Sequence, residues 1–98
     1  MHVISRKKLL EAAKEHGNLG GPLDVWYRIA RKGRWKNLTE VRQSFPSADA
    51  VDEFTVFNIK GNAYRLITEI NYRTGRIFLH HVLTHAEYTK EGWKKWAL

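Results

Sequence analysis

Apolar residues along this 98-residue chain change their spacing at about Phe54. Before that point they recur at helical intervals, as Leu23, Trp26, Tyr27 and Ala30 do at i, i+3, i+4 and i+7. After it, β-branched and aromatic residues alternate with polar ones in runs of strand length. The pattern therefore predicts helices first and a β-sheet second, which is an α+β fold.

Three helices are predicted in the first half of the chain. Ser5 and Gly17 bracket the first, as an N-cap and as a left-handed residue after its last turn. Pro22 suits the first helical position of the second. Asn37 resembles the start of a capping box with Glu40, which opens a short third helix ending at about Ser44.

Three antiparallel strands are predicted in the second half, over Phe54–Ile59, Ala63–Tyr72 and Arg76–Thr84. Gly61 and Asn62 fit a tight hairpin turn, while residues 73–75 fit a three-residue loop whose Gly is left-handed, with a bulge. We expect a single domain over residues 1–98. In it, two or three N-terminal helices pack on one face of an antiparallel sheet of at least three strands.

The length of the second loop decides which side chains share a face of the sheet. With three loop residues, Tyr72 pairs with Arg76 and Ile67 with His81, and the polar face holds Asn58, Lys60, Arg65, His81 and His85. The core face then holds Phe57, Ile59, Tyr64, Leu66, Ile70, Phe78 and Val82. A two-residue loop would send both His side chains to the opposite face from Arg65. Thr74 favours the longer loop, since a β-branched residue is poor at the first central position of a two-residue turn.

Charge and composition indicate a polyanionic partner. Seventeen Lys and Arg against ten Asp and Glu give a net charge of +7, which favours nucleic acid through phosphate neutralisation. An incidentally basic surface is the alternative. There are no cysteines, and the N-terminus has no apolar core of the kind found in a signal peptide, so we expect a cytoplasmic protein without a membrane anchor.

Five segments of the chain, in order, resemble the HigB group of toxins from bacterial toxin–antitoxin pairs, within the RelE-like superfamily. They are MHVIS, PL-x-x-WY, FPSAD, NIKGNAYRLI and THAEY. The resemblance covers nearly the whole chain and implies an mRNA endonuclease, usually acting on the translating ribosome and held inactive by a HigA-type helix-turn-helix antitoxin. It also places Lys60, Arg65, His85 and Tyr88 at the positions of the family's catalytic motif. RelE itself uses Lys, Arg and Tyr without His, whereas this chain has three His on or near its last strand.

Metal-free RNA cleavage uses the substrate's own 2′-OH, so it needs a base, an acid and a cation beside the phosphorane. Arg65 is the candidate cation, because a guanidinium holds two phosphate oxygens in a fork; pairing with Glu69 is its structural alternative. His85 and Tyr88 are candidates for the proton transfers, with His81 a weaker one.

Other residues are assigned roles outside the reaction itself. We expect RNA contacts from Lys36, Asn58, Arg73 and Arg76, a structural role for His80 facing the core or at the sheet edge, and a core or antitoxin contact for Trp35. No cofactor or metal is expected, because the four-residue spacing of His81 and His85 separates their Cα atoms by roughly 13 Å along a strand. A non-catalytic basic module that binds RNA or the ribosome is the competing interpretation.

Overall fold

Three helices precede the main strands in the computed structural model, which describes residues 1–90 and 92–94. The helices of the described part are α1 (Lys7–Glu15), α2 (Gly20–Lys32), α3 (Leu38–Ser44) and α4 (His85–Thr89). The strands are β1 (His2–Ile4), β2 (Asp49–Val51), β3 (Phe54–Ile59), β4 (Tyr64–Asn71) and β5 (Arg76–Thr84). The predicted α+β class is confirmed, with two short strands, β1 and β2, added at the edges.

The sheet has the spatial order β1-β5-β4-β3-β2. Neighbouring strands run antiparallel except β1, which lies parallel to β5 and pairs Val3 with Ile77. The sheet is therefore mixed. The strand that pairs with β1 follows it in the chain only after three helices and three other strands. Among the described residues, no helix is long and apolar enough to cross a membrane.

The predicted helix ends are partly wrong at α1. Ser5 is not its N-cap: it has a φ of 71° and turns the chain from β1 toward α1, which begins at Lys7 after Arg6. Gly17 is not left-handed either, since the glycines with positive φ in the described part of the chain are Gly61 and Gly75. The last cap position is taken by His16, whose backbone N–H bonds to the carbonyl of Ala12.

The starts of α2 and α3 are closer to expectation. Helix α2 begins at Gly20, so Pro22 lies in its first turn, where a missing N–H leaves no intrahelical bond unmade. The predicted cap of α3 is confirmed, because Asn37 Oδ1 accepts a hydrogen bond of 3.0 Å from the backbone N–H of Glu40. The Glu40 carboxylate bonds back to the Lys36 N–H at 2.8 Å, one residue earlier than in a standard capping box.

Both faces of the sheet bury apolar side chains. The helices cover one face, where the core includes Trp26, Trp35, Phe57, Leu66 and Ile77. A second, smaller core on the other face consists of Phe54, Val56, Ile67, Leu83 and Trp93, with Val51 and Tyr88 packed against it. Because strand β3 contributes to both cores, nearly all of its residues are buried instead of alternating.

The hairpin between β4 and β5 has a longer loop than predicted. Its loop has four residues, 72–75, because Asn71 pairs with Arg76 and the predicted Tyr72 to Arg76 pair does not form. A β-bulge between Ile67 and Thr68 then shifts the pairing of β4 with β5 by one residue.

The bulge restores the predicted pairs farther along the strands. Arg65 lies opposite Leu83, and Ile67 lies opposite His81, as the three-residue loop had predicted. Between the bulge and the loop, however, the faces are exchanged. Phe78 pairs with Glu69 and leaves the predicted core, while Ile77 and Leu79 are buried against the helices instead.

Candidate active site

Arg65 is the centre of a polar cluster on the sheet face that carries the second core. Its Nη1 donates to the backbone carbonyls of Asn62 at 3.0 Å and Tyr64 at 3.3 Å. Its Nη2 donates to the side-chain carbonyl Oδ1 of Asn62 and lies 3.3 Å from Nδ1 of His85. The tight turn after β3 thus supplies most of the partners that hold the guanidinium in place.

The charge of Arg65 lacks an acidic partner within the described part of the chain. The side chain is only 9% exposed, yet no carboxylate lies within ion-pair distance of it among the described residues. Pairing with Glu69 does not occur, because that carboxylate lies 3.2 Å from Nε2 of His80. Burying a cation is costly unless an anion accompanies it. The arrangement therefore favours an anionic ligand for Arg65.

The contact with Arg65 fixes the proton of His85. A guanidinium has only donors, so Nδ1 of His85 must accept, and the neutral ring carries its hydrogen on Nε2. The His85 side chain is exposed, and its backbone N–H bonds to the carbonyl of Ala63 at 2.9 Å. In this arrangement the only lone pair of the ring that could accept a proton points at Arg65.

Tyr88 covers the cluster from helix α4. The ring lies 5.3 Å from Cζ of Arg65, within the range of a cation–π contact. A capping box starts α4: Thr84 accepts from the Glu87 N–H, and the Glu87 carboxylate accepts from the Thr84 N–H at 2.9 Å. This short, well-capped helix puts His85 and Tyr88 on the same side as Arg65.

Trp93 packs against Tyr88. The two rings stack with centroids 5.4 Å apart, and Trp93 Nε1 donates to the Tyr88 carbonyl at 3.1 Å. Between them and Val51 is a cavity of about 410 Å³, which Lys94 also lines. Because Arg65 and Trp93 both lie against the Tyr88 ring and Trp93 is 2% exposed, these contacts fix Tyr88 in place beside the cation.

Lys60 and Asn58 lie close in sequence to the cluster but are not among the partners of Arg65. Lys60 is exposed on the turn with a φ of 53°, and the Ala63 N–H bonds to its carbonyl at 3.2 Å, as predicted for a tight hairpin. Asn58 is half-buried directly opposite Arg65 in the neighbouring strand. Both positions border the cluster at the β3–β4 end of the sheet.

His81 lies in a different environment from His85. It lines a cleft with Lys8 and Glu15 of α1, and burial, followed by the charges of Lys8 and His80, lowers the pKa of His81. The partners of Arg65 come instead from Asn62, Tyr64, His85 and Tyr88.

His80 does not face the helix-side core, but it lies at the sheet edge, the other predicted position, because β1 pairs with residues 76–78 of β5 and the His80 carbonyl accepts from Lys8 Nζ at 3.0 Å. Its ring packs edge-on against Phe54, with centroids 5.4 Å apart, on the face of the second core. The β-bulge is the reason, since it inserts one residue here. Among the residues the structure describes, no group of three or more His, Cys, Asp or Glu is placed to hold a metal ion.

Lys36, Arg73 and Arg76 lie far from the cluster. Arg73 belongs to the β4–β5 turn, and Tyr72 beside it follows Arg65 by seven strand positions, roughly 23 Å at 3.3 Å per residue. Lys36 and Arg73 line one cavity, whereas Arg76 begins β5 next to it and pairs with Asn71 and His2. The predicted RNA contacts therefore occupy both ends of the sheet.

Two features of the cluster were not identified from the sequence. Asn62 was assigned only to a turn, although an amide three residues before a strand arginine is well placed to accept from it. Trp93 and Lys94 belong to a tail of unassigned structure, where the single usable signal was an aromatic residue among lysines. Residues 91 and 95–98 of that tail lie outside the described residues.

The family model for HigB toxins, described as the RelE-like toxic component of a toxin–antitoxin system, matches residues 20–91. The chain is also similar to curated proteins from enterobacteria. It is 32% identical over 93 residues to the mRNA interferase HigB of Escherichia coli O6:H1, covering 92% of this chain and 90% of that protein. It is 30% identical to the mRNA interferase toxin HigB of Escherichia coli K12 and to the mRNA interferase HigB of Shigella flexneri, covering 90% of this chain and 88% of each.

Proposed function

Because this chain belongs to the HigB family, the RelE-like toxic components of toxin–antitoxin systems, we propose that it is an endoribonuclease that cuts mRNA. The substrate class follows from the names of its relatives, which are mRNA interferases. The chain's net charge of +7 suits a polyanionic substrate.

One observation carries the proposal: Arg65 is a buried cation without a carboxylate partner among the described residues, in contact with the titratable ring of His85. A phosphate group is the ligand that complements a guanidinium fork. The nearby lone pair on His85 can accept a proton once Arg65 turns toward that phosphate. Charge stabilisation and proton transfer are then available at the same phosphorus atom.

The proposed reaction uses the ribose 2′-OH as nucleophile. Binding of the scissile phosphate draws Arg65 Nη2 away from Nδ1 of His85, and that nitrogen takes the 2′-OH proton. The 2′ oxygen attacks phosphorus, the bond from phosphorus to the 5′ oxygen breaks, and the Tyr88 hydroxyl protonates the departing oxygen. The products are a 2′,3′-cyclic phosphate and a 5′-OH end, with no metal ion required. Lys60 adds positive charge from the turn.

RNA contacts outside the reacting atoms are proposed for Asn58, next to the cluster, and for Lys36, Arg73 and Arg76 at the far end of the sheet. The RNA is proposed to contact Tyr88 at the cavity that this residue lines with Val51; stacking on Trp93 is not proposed, because that residue is 2% exposed in the second core. Trp35 takes no part in stacking, because it is 6% exposed and belongs to the helix-side core.

The biological partners follow from the family. A toxic component of a toxin–antitoxin system implies an antitoxin, and we propose that it is a HigA-type helix-turn-helix protein. We further propose that cutting takes place in the cytoplasm on mRNA held by the translating ribosome, where the reading frame is exposed as single strand.

Cleavage of purified mRNA, with and without translating ribosomes and in the presence of EDTA, tests the function. We expect cleavage that persists in EDTA, leaves cyclic phosphate ends and falls about 10²- to 10³-fold or more in Arg65→Ala. Arg28→Ala is the matched control, since it removes the same charge from an exposed position on α2 where Arg28 pairs with Asp24 at 2.9 Å. RNA that is bound tightly but stays intact in every condition would favour a non-catalytic RNA-binding or ribosome-binding module instead.

A further inference from the structure

A second basic cavity lies at the end of the sheet opposite the proposed active site. Its volume is about 400 Å³, and its lining includes Arg34, Lys36 and Arg73. One wall is the segment that follows α2, and the other is the turn between β4 and β5. We refer to this site, defined by Gly33–Lys36 and residues 72–75, as the distal cavity.

Gly33 and Trp35 explain why cations line the first wall. A Cβ atom at Gly33 would lie 2.7 Å from Cε2 of Trp35, so only glycine lets the indole pack against the backbone there. Trp35 turns inward, where its ring packs edge-on against Phe45 with centroids 5.9 Å apart. The residues on either side, Arg34 and Lys36, are consequently exposed.

The second wall is a rigid turn. Gly75 adopts a φ of 69°, its N–H bonds to the Asn71 carbonyl at 2.9 Å, and the Asn71 side chain accepts from the Thr74 N–H at 3.1 Å. The Gly75 carbonyl accepts from the His2 N–H of strand β1 at 2.7 Å. Arg73 is therefore displayed from a loop that is tied down at both ends.

The cations of the distal cavity have no anionic partner within the described part of the chain. No ion pair there involves Arg34, Lys36 or Arg73. The nearby Glu40 is occupied by the backbone N–H of Lys36 and does not line the cavity. The side-chain cations of Arg34, Lys36 and Arg73 lie close to the ammonium of Met1, which also lines the cavity, so an anion that bridges the walls relieves the repulsion among these charges.

We propose that the distal cavity binds backbone phosphates of an RNA segment other than the strand that is cut. The inference rests on RNA being the substrate, and it goes beyond the proposed cleavage by adding a separate site. Arg34 and Lys36 lie on the helix side of the sheet, whereas Arg65 lies on the opposite face roughly 23 Å away along β4. A strand in the active site would have to pass around the end of the sheet to reach both, so a second, structured part of the RNA is the fitting ligand.

Salt-dependent binding of an RNA that cannot be cut tests this site. The probe is a fluorescein-labelled RNA hairpin with a single-stranded extension, 2′-O-methylated throughout, and anisotropy is measured over a range of KCl concentrations. The double variant Arg34→Ala/Arg73→Ala removes one cation from each wall. We expect its Kd to rise at least about tenfold and the slope of log Kd against log salt to fall by about 1.4–1.8, since each lost phosphate contact removes about 0.7–0.9.

Two controls isolate the site from general charge. Lys14→Ala/Lys32→Ala removes the same charge from exposed positions on α1 and α2 and should keep the wild-type slope within about one half. Arg34→Lys/Arg73→Lys keeps both charges and should keep the slope. Equal slopes for the two alanine double variants would overturn the proposal.

The binding assay does not depend on cleavage, because the probe lacks a free 2′-OH. If the wild type binds through the distal cavity but cuts no cleavable RNA, the proposed function fails and the second site stands. If the wild type cuts RNA while both alanine double variants bind alike, the second site fails alone.

Discussion

Nη2 of Arg65 lies 3.3 Å from Nδ1 of His85, and because Arg65 can only donate, it caps the one lone pair of the neutral His85 ring. In the free protein, Arg65 therefore blocks the nitrogen of His85 that is proposed to act as the base. A bound phosphate that competes for Nη2 releases it. The arrangement couples substrate binding to the availability of the base.

The tautomer of His85 is directly measurable. We expect a neutral ring protonated at Nε2 in the free protein, seen in the nitrogen shifts of His85 in a two-dimensional NMR spectrum. In Arg65→Ala, the tautomer protonated at Nδ1 should become populated, because the guanidinium no longer opposes a hydrogen on that nitrogen. A ring protonated at Nδ1 in the wild type would contradict the contact.

His85→Gln separates two roles for that side chain. An amide can still accept from Arg65 and donate to solvent, but it cannot take up a proton. If His85 is the base, kcat should fall about 10²- to 10⁴-fold and the limb of the pH–rate profile due to this group should disappear. Retained rate with an unchanged pH profile would assign the proton transfer elsewhere.

Asn62 is expected to position Arg65 without touching substrate. Asn62→Asp replaces the accepting amide oxygen with a carboxylate, so it gives Arg65 an acidic partner, which none of the described residues provides. We expect KM to rise about tenfold or more while the melting temperature is unchanged or higher. Asn62→Ala is the comparison, because it removes the acceptor without adding charge and should lower kcat through a less ordered Arg65. A lower melting temperature together with an unchanged KM in Asn62→Asp would contradict this role.

Tyr88→Phe and Trp93→Ala test the two parts of the stacked pair. Loss of the Tyr88 hydroxyl alone should lower kcat by about 10²-fold, although the ring still covers Arg65. Trp93 is 2% exposed, so Trp93→Ala should cost about 3–5 kcal/mol of unfolding free energy by urea denaturation. An unchanged kcat in Tyr88→Phe would show that the hydroxyl takes no part in the reaction.

Gly33→Ala should destabilise the protein by about 1–3 kcal/mol, because the new methyl group overlaps the Trp35 ring at 2.7 Å. Gly21→Ala is the control, since nothing lies within 4 Å of a Cβ at that position. Chemical denaturation measures both. A neutral Gly33→Ala would mean that Trp35 shifts at little cost.

The His81 cleft makes stability depend on pH. Burial, followed by the charges of Lys8 and His80, lowers the pKa of His81 below its ordinary value of 6.5. Between that lowered pKa and about 6.5 the unfolded chain binds more protons, so the free energy of unfolding should fall as the pH falls through this window. His81→Asn should flatten this part of the stability curve, and Lys8→Met should raise the pKa of His81 in an NMR titration. An unchanged pKa in Lys8→Met would rule out Lys8 as a cause.

The strands rich in β-branched and aromatic residues were predictable from sequence. Phe54–Ile59 and Arg76–Thr84 were predicted with the bounds that β3 and β5 have. Strands β1 and β2 were missed because three residues carry too little periodicity to register. Strand β1 also depends on a parallel partner more than seventy residues away, which local pattern does not reveal.

The approach of Arg65 and His85 was predicted on a partly wrong basis. The β4–β5 loop is one residue longer than expected, and a β-bulge near His80 compensates for it. A bulge is set by packing on both faces of a sheet, so the sequence of one strand does not specify it. The exchange of Phe78 for Leu79 in the core follows from the same cause.

Because β1 pairs with β5, the sheet can be completed only late in the synthesis of the chain. Val3 finds its partner only after Ile77 has been made, and the cluster around Arg65 needs His85 and Tyr88, which are made later still. A nascent chain that lacks these segments has an unpaired N-terminal strand and an incomplete site. For a member of a toxin family, the fold thus delays assembly of the proposed active site until most of the chain has left the peptidyl transferase centre of the ribosome that makes it.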